Sequence, residues 1–201
     1  MSELVMSDLA EKSMNNEQNL TKSLGFWIYL MTDCVLFASL FATYVILRGS
    51  TYGGPSGHDI FNMPAVFVET ILLLTSSFTC GLAVVMAKIN YKQAALVFLT
   101  LTFVFGVGFL TMELSEFSNL VAAGHSWQAS AFLSAFFTLV GTHGLHISVG
   151  LLWIAVMIFQ VIKRGFTDGV LRRLTLFALF WHFLDIIWIF IFTIVYLMGV
   201  A

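Results

Sequence analysis

Eight ionisable or imidazole side chains fall in or beside long apolar runs of the sequence: Asp33, Glu69, Glu113, Glu116, His143, His146, His182 and Asp185. A charge or imidazole at membrane depth costs a few kcal/mol, so such groups face protein or water and invite a functional reading. His182 and Asp185 are three residues apart, which sets both on one helix face and lets an imidazole N–H reach a carboxylate. Three chemistries fit these residue types. A buried polar pair can join two membrane helices. The carboxylates and imidazoles can relay protons. His143, His146 and His182 can act as nitrogen ligands of a haem or metal, although His143 and His146 share one face of a single helix. A haem needs partners on facing helices, and zinc needs a third or fourth ligand at matching depth.

The elements that carry these residues follow from composition. Of 201 residues, 59% are hydrophobic and 10% charged, too little polar surface for a water-soluble chain of this size. The apolar residues come in five runs of about 20 or more, the length that crosses a ~30 Å hydrocarbon layer at 1.5 Å per residue. The runs cover about 25–47, 65–87, 94–112, 132–162 and 174–199. They are apolar all round, whereas barrel strands would alternate, so the fold class is all-α: a polytopic bundle of five transmembrane helices. Gly53, Gly54, Pro55 and Gly57 break the chain after the first run, and Gly124, His125 and Trp127 lie in the third loop. Residues 1–24 read as a polar, flexible, uncleaved tail without a signal peptide's short apolar core. Cys34 and Cys80 lie in apolar runs as small hydrophobes. The net charge of -2 offers no basic stripe for nucleic acid. Gly106, Gly108, Gly141 and Gly144 are sites for close helix approach.

Orientation follows from the basic residues. The tail, second loop and fourth loop hold Lys12, Lys22, Lys88, Lys92, Lys163, Arg164, Arg172 and Arg173, while the opposite side holds Arg48. The amino terminus is therefore expected in the cytoplasm and the carboxyl terminus in the periplasm. Helix rise then places Asp33 at ~12 Å and Asp185 at ~16 Å from the inner side, with His146 and His182 near that level. An inner polar layer of Asp33, His146, His182 and Asp185 is one expectation. Glu69 and Glu113 lie toward the outer face, with Glu116 just beyond in the loop.

Specific strings carry the reading further. FWHFLDIIWIFIFTIVYLMG (Phe180 to Gly199), GTHGLHISVG (Gly141 to Gly150) and MELSEF (Met112 to Phe117) resemble subunit III of the haem-copper terminal oxidases. GFWIYLMTDCVLF (Gly25 to Phe37) and VETILLLTSS (Val68 to Ser77) are more similar to subunit III of bacterial cytochrome o ubiquinol oxidase. The resemblance spans roughly residues 24 to 201, in order. It implies a non-catalytic subunit of a proton-pumping ubiquinol oxidase in the bacterial inner membrane. The haems and copper would lie in a partner, the catalytic subunit I, with subunits II and IV as further partners and phospholipid bound in a cleft. The chain itself would hold no cofactor, and would support assembly, sustained turnover and proton uptake. The resemblance makes none of the eight polar residues catalytic. Five helices favour the quinol-oxidase branch. A five-helix cytochrome c oxidase subunit and an independent transporter using Asp33, Glu69 and the histidines are the alternatives.

Overall fold

The structure, a computed structural model, describes residues 2–53 and 57–200; Gly54 and Pro55 of the expected first loop lie outside the described residues. Among the described residues every regular element is helical: α1 (Ser2–Leu47), α2 (Gly57–Ile60), α3 (Met63–Lys88), α4 (Lys92–Ala122), α5 (Ala131–Arg164) and α6 (Asp168–Ile191). A π-helical turn (Phe192–Leu197) and α7 (Met198–Val200) continue α6. Five stretches among the described residues are long and apolar enough to cross a membrane: Ser23–Leu47, Met63–Lys88, Lys92–Ala122, Ala131–Arg164 and Asp168–Val200. Helix is the form that satisfies every backbone N–H and C=O within the segment when no water is present.

Helix ends are set locally. Ser130 caps α5 by accepting from the Leu133 N–H at 3.1 Å, and Thr167 caps α6 through the Val170 N–H at 3.4 Å. Gly165 ends α5 at φ 65°, a conformation that glycine adopts without steric cost. Three expected boundaries shift. The third helix runs ten residues past Met112 to Ala122, so Glu116 is helical rather than in a loop. Hydropathy falls at Met112, but no glycine or proline breaks the backbone before Gly124. At 31 residues, α4 is ~46 Å long and outruns the ~30 Å hydrocarbon layer. The last helix starts six residues earlier than Leu174, at Asp168, and Arg173 on it donates to Gln160 Oε1 of α5 at 3.1 Å. The backbone of α1 is helical back to Ser2, in place of the flexible tail expected; no glycine or proline occurs between Ser2 and Leu24.

The chain divides into two compact units, Met1–Leu36 and Phe37–Ala201. The first is the helix α1 up to Leu36. In the second, α3 packs on α4, α4 on α5, α5 on α6, and α6 returns to α3, closing a ring of four neighbours. Aromatic residues fill its centre: Phe109, Phe136, Trp181, Trp188 and Tyr196 are all buried. The exterior is apolar instead of polar, with Phe78, Leu145 and Leu152 exposed at 67%, 65% and 71%. Such a surface suits lipid and is the reverse of a water-soluble protein's.

Glycines let the helices close on that aromatic centre. A Cβ on Gly150 of α5 would lie 2.7 Å from Trp181, and one on Gly106 of α4 would lie 3.0 Å from the same ring. A Cβ on Gly144 would meet the Glu113 carboxylate at 2.6 Å. Gly108 and Gly141 have only ordinary van der Waals neighbours, at 3.7 and 3.6 Å. Gly106 and Gly144 therefore carry the close approach expected from sequence, and Gly150 joins them.

Candidate functional site

Three polar groupings lie within the second unit. The first joins α3 to α6. Trp181 Nε1 donates to Ser76 Oγ at 3.0 Å, Trp188 Nε1 donates to Thr70 Oγ1 at 3.1 Å, and His182 Nδ1 lies 2.7 Å from Ser77 Oγ. Pairing 188 with 70 and 181 with 76 makes the two helices antiparallel. The Thr70 and Ser76 hydroxyls donate within α3, to Val66 O and Leu73 O, and so present lone pairs to the indoles. Asp185 is a hydrogen-bonding neighbour of Ser77 and an electrostatic neighbour of His182. The His182 nitrogen thus meets a hydroxyl, where sequence spacing offered a direct imidazole–carboxylate contact. The arrangement is a row of interhelical hydrogen bonds, each worth about 0.6 kcal/mol and up to ~2 in membrane proteins.

The second grouping is His143, which is fully buried. Its ring stacks on Trp188 with centroids 5.3 Å apart and meets Phe109 edge-on at 5.9 Å. Neither ring nitrogen has a hydrogen-bond partner among the described residues. One turn on, His146 Nδ1 pairs with the Thr142 carbonyl at 2.7 Å and its ring lies 5.3 Å from that of Phe37. In the contacts described, His182 lies on Ser77, His146 on a carbonyl of its own helix, and His143 among aromatics. Among the described residues, no three His, Cys, Asp or Glu side chains are placed to hold a metal ion. An orphaned imidazole in an apolar box should be replaceable by an apolar ring. We expect His143→Phe to leave the stability of the purified protein unchanged or slightly raised, and His143→Ala to lower it by about 2–5 kcal/mol through the cavity it opens. Thermal unfolding in detergent would check both.

The third grouping is acidic. Glu69 and Glu113 are 1% and 2% exposed, and Glu116 accepts a hydrogen bond from the Tyr196 hydroxyl at 3.2 Å. The three carboxylates are electrostatic neighbours of one another. Glu69 Oε2, Glu113 Oε2 and Glu116 Oε1 have no hydrogen-bond partner among the described residues. Glu113 is seated against the bare backbone of Gly144. Asp33 belongs to the first unit, on α1, where Tyr29 is its hydrogen-bonding neighbour one turn earlier.

Residue type and spacing single out the eight ionisable groups but not Ser77 and Tyr196, which hold His182 and Glu116, nor Thr70 and Ser76, which hold the two indoles. A signal is present: Trp181, His182 and Trp188 lie one and seven residues apart, and Thr70, Ser76 and Ser77 repeat nearly that spacing.

Comparison with known proteins adds to this geometry. Residues 8–200 match the family model described as cytochrome c oxidase subunit III. The chain is 56% identical over 177 residues to cytochrome bo(3) ubiquinol oxidase subunit 3 of Pseudomonas putida, covering 88% of this chain and 86% of that one. It is 49% identical over 181 residues to cytochrome c oxidase subunit 3 of Bacillus sp. strain PS3, covering 90% and 87%. It is 41% identical over 192 residues to quinol oxidase subunit 3 of Bacillus subtilis strain 168, covering 96% and 94%.

Proposed function

The chain belongs to the cytochrome c oxidase subunit III family, a multi-pass membrane subunit of an oxidase assembly, and we propose that it is the third subunit of a proton-pumping cytochrome o-type ubiquinol oxidase. That complex would oxidise ubiquinol and reduce oxygen to water. The observation that carries this reading is the 56% identity, over 88% of the chain, to a relative named for ubiquinol oxidation. In it, this chain is non-catalytic: haems and copper reside in subunit I, and subunits II and IV complete the assembly. It lies in the bacterial inner membrane with its amino terminus cytoplasmic and carboxyl terminus periplasmic, in contact with phospholipid. Asp33, Glu69, Glu113, Glu116, His143, His146, His182 and Asp185 act as structural and helix-interface groups, and the chain supports assembly, endurance and proton uptake of its catalytic neighbour.

The packing favours such a role. A ring of helices locked by indole–hydroxyl bonds and filled with aromatics gives a stiff body, and an apolar exterior offers surface to lipid and to partner helices. Deleting the chain is expected to leave haem in subunit I while assembly or endurance during turnover falls. Unchanged assembly, turnover and proton pumping would refute the proposal. A second reading, a cytochrome c oxidase subunit, is favoured by the 49% identity to the Bacillus sp. protein. Assay of the purified complex with ubiquinol and with reduced cytochrome c separates the two.

The α3–α6 row yields a further expectation. His182→Ala or Ser77→Ala strands the remaining partner at ~1 to 3 kcal/mol. The yield of assembled complex should drop, while oxygen reduction per assembled complex is retained. Normal assembly with abolished oxygen reduction would contradict this.

A further inference from the structure

A groove of about 470 Å³ opens between the start of α3 and the end of α4, its polar wall formed by Asn62, Glu69, Ser115, Glu116, Asn119 and His125. Among the described residues lining it, none is Lys or Arg. Glu69, at 1% exposure, is buried on the wall with Oε2 lacking any hydrogen-bond donor among the described residues, and Glu116 Oε1 lacks one too. Tyr196 already occupies the other Glu116 oxygen. Two neighbouring carboxylates in the wall of one groove repel each other, and an unpaired buried carboxylate oxygen is costly. A cation with several N–H donors would answer both oxygens at once.

The level of the groove indicates where such a cation comes from. Hydropathy along α4 falls at Met112, and Glu116 and Asn119 follow one and two turns later. Asn62 immediately precedes α3, and Ala123 and His125 follow α4. The groove therefore lies where hydrocarbon gives way to headgroups.

We propose that this groove is a binding site for a primary ammonium group, presented by an aminophospholipid headgroup at that level, with Glu69 and Glu116 as its acceptors. The proposal rests on the reading of the chain as a lipid-contacting membrane subunit, and adds to it a location and a headgroup chemistry. A water-borne amine shares the chemistry and is the other source.

The test uses the whole oxidase complex, purified in mild detergent and examined by native mass spectrometry after incubation with phosphatidylethanolamine or phosphatidylcholine of identical acyl chains. Phosphatidylethanolamine, with its N–H donors, should be retained roughly tenfold better than phosphatidylcholine, and Glu69→Gln or Glu116→Gln should remove that preference. Displacement by millimolar ethanolamine would support the ammonium site and identify water-borne amines as a competent source; its failure to compete would identify the lipid as the source. Equal retention of the two lipids by the wild-type complex would overturn the proposal, whether or not the variants assemble. So would a preference unchanged in variants that do assemble, or a basic side chain of a neighbouring subunit found in the groove. Failure of the chain to co-purify with a haem-bearing partner would refute the oxidase reading instead.

Discussion

Trp188→Ala should be among the most damaging single changes, lowering stability by about 3–5 kcal/mol, the usual cost of emptying a large aromatic site. The indole meets Phe109 at 4.6 Å between centroids in a T-shaped contact, stacks on His143 at 5.3 Å, and lies 6.2 Å from Tyr196. Its N–H reaches Thr70 on α3. In lipid, helices gain little from leaving the solvent, so packing contacts and hydrogen bonds carry most of their association. A cavity at Trp188 removes both from the meeting point of α3, α4, α5 and α6. Thr70→Val is the matched control. It keeps the aromatic packing but removes the indole's acceptor together with the hydroxyl's own bond to Val66 O, and should cost about 1–3 kcal/mol. Detergent-denaturation midpoints of the wild type and the two variants would rank them; a Trp188→Ala protein as stable as wild type would show that the aromatic centre does not hold the ring together.

Gly150→Ala should cost about 1–3 kcal/mol, although alanine favours helix by nearly 1 kcal/mol over glycine at an unconstrained position. The added carbon would stand 2.7 Å from Trp181 Cζ3 and 3.0 Å from Cε3. The indole has little room to retreat. Ser76 fixes its nitrogen, and on α4 the backbone of Gly106 approaches so closely that a Cβ there would also lie 3.0 Å from the ring. Trp181→Phe, with a smaller ring, should recover part of the loss, giving a coupling energy that independent sites would not show. Gly169→Ala provides the contrast, because a Cβ there meets nothing within 4 Å and should be neutral or stabilising. Equal melting temperatures for Gly150→Ala and Gly169→Ala would contradict this account of the α5–α6 contact.

Trp188 and Gly150 also mark how far the fold is legible in the amino-acid sequence. Five membrane-length runs are plain because bilayer thickness imposes a length on apolar sequence. Helix ends are less so. Glu116 reads as a loop residue because hydropathy stops at Met112, whereas hydrogen bonding continues to Ala122 where no breaker intervenes. The ionisable groups stand out against apolar runs, and the shared face of His182 and Asp185 follows from their spacing. Their holders do not stand out. Ser77 is 105 residues from His182, and a hydroxyl inside a helix can equally bond its own backbone, as Thr75 does to Ile71 O. Gly150 resembles its neighbours in GTHGLHISVG, and only the indole across the interface distinguishes it from Gly141. The expected inner polar layer rests on helix rise, which gives depth and not the direction in which a side chain turns. In the second unit, His182 turns toward Ser77 on α3, and His146 pairs with the Thr142 carbonyl one turn back on α5.

The most direct test of the central claim is affinity purification of the tagged chain in mild detergent, with a reduced-minus-oxidised spectrum recorded before and after its partners are stripped away. The account predicts haem bands that arrive with larger subunits and vanish from the stripped chain. Haem that stays with the isolated chain would contradict it, and would make His143, His146 and His182 ligands.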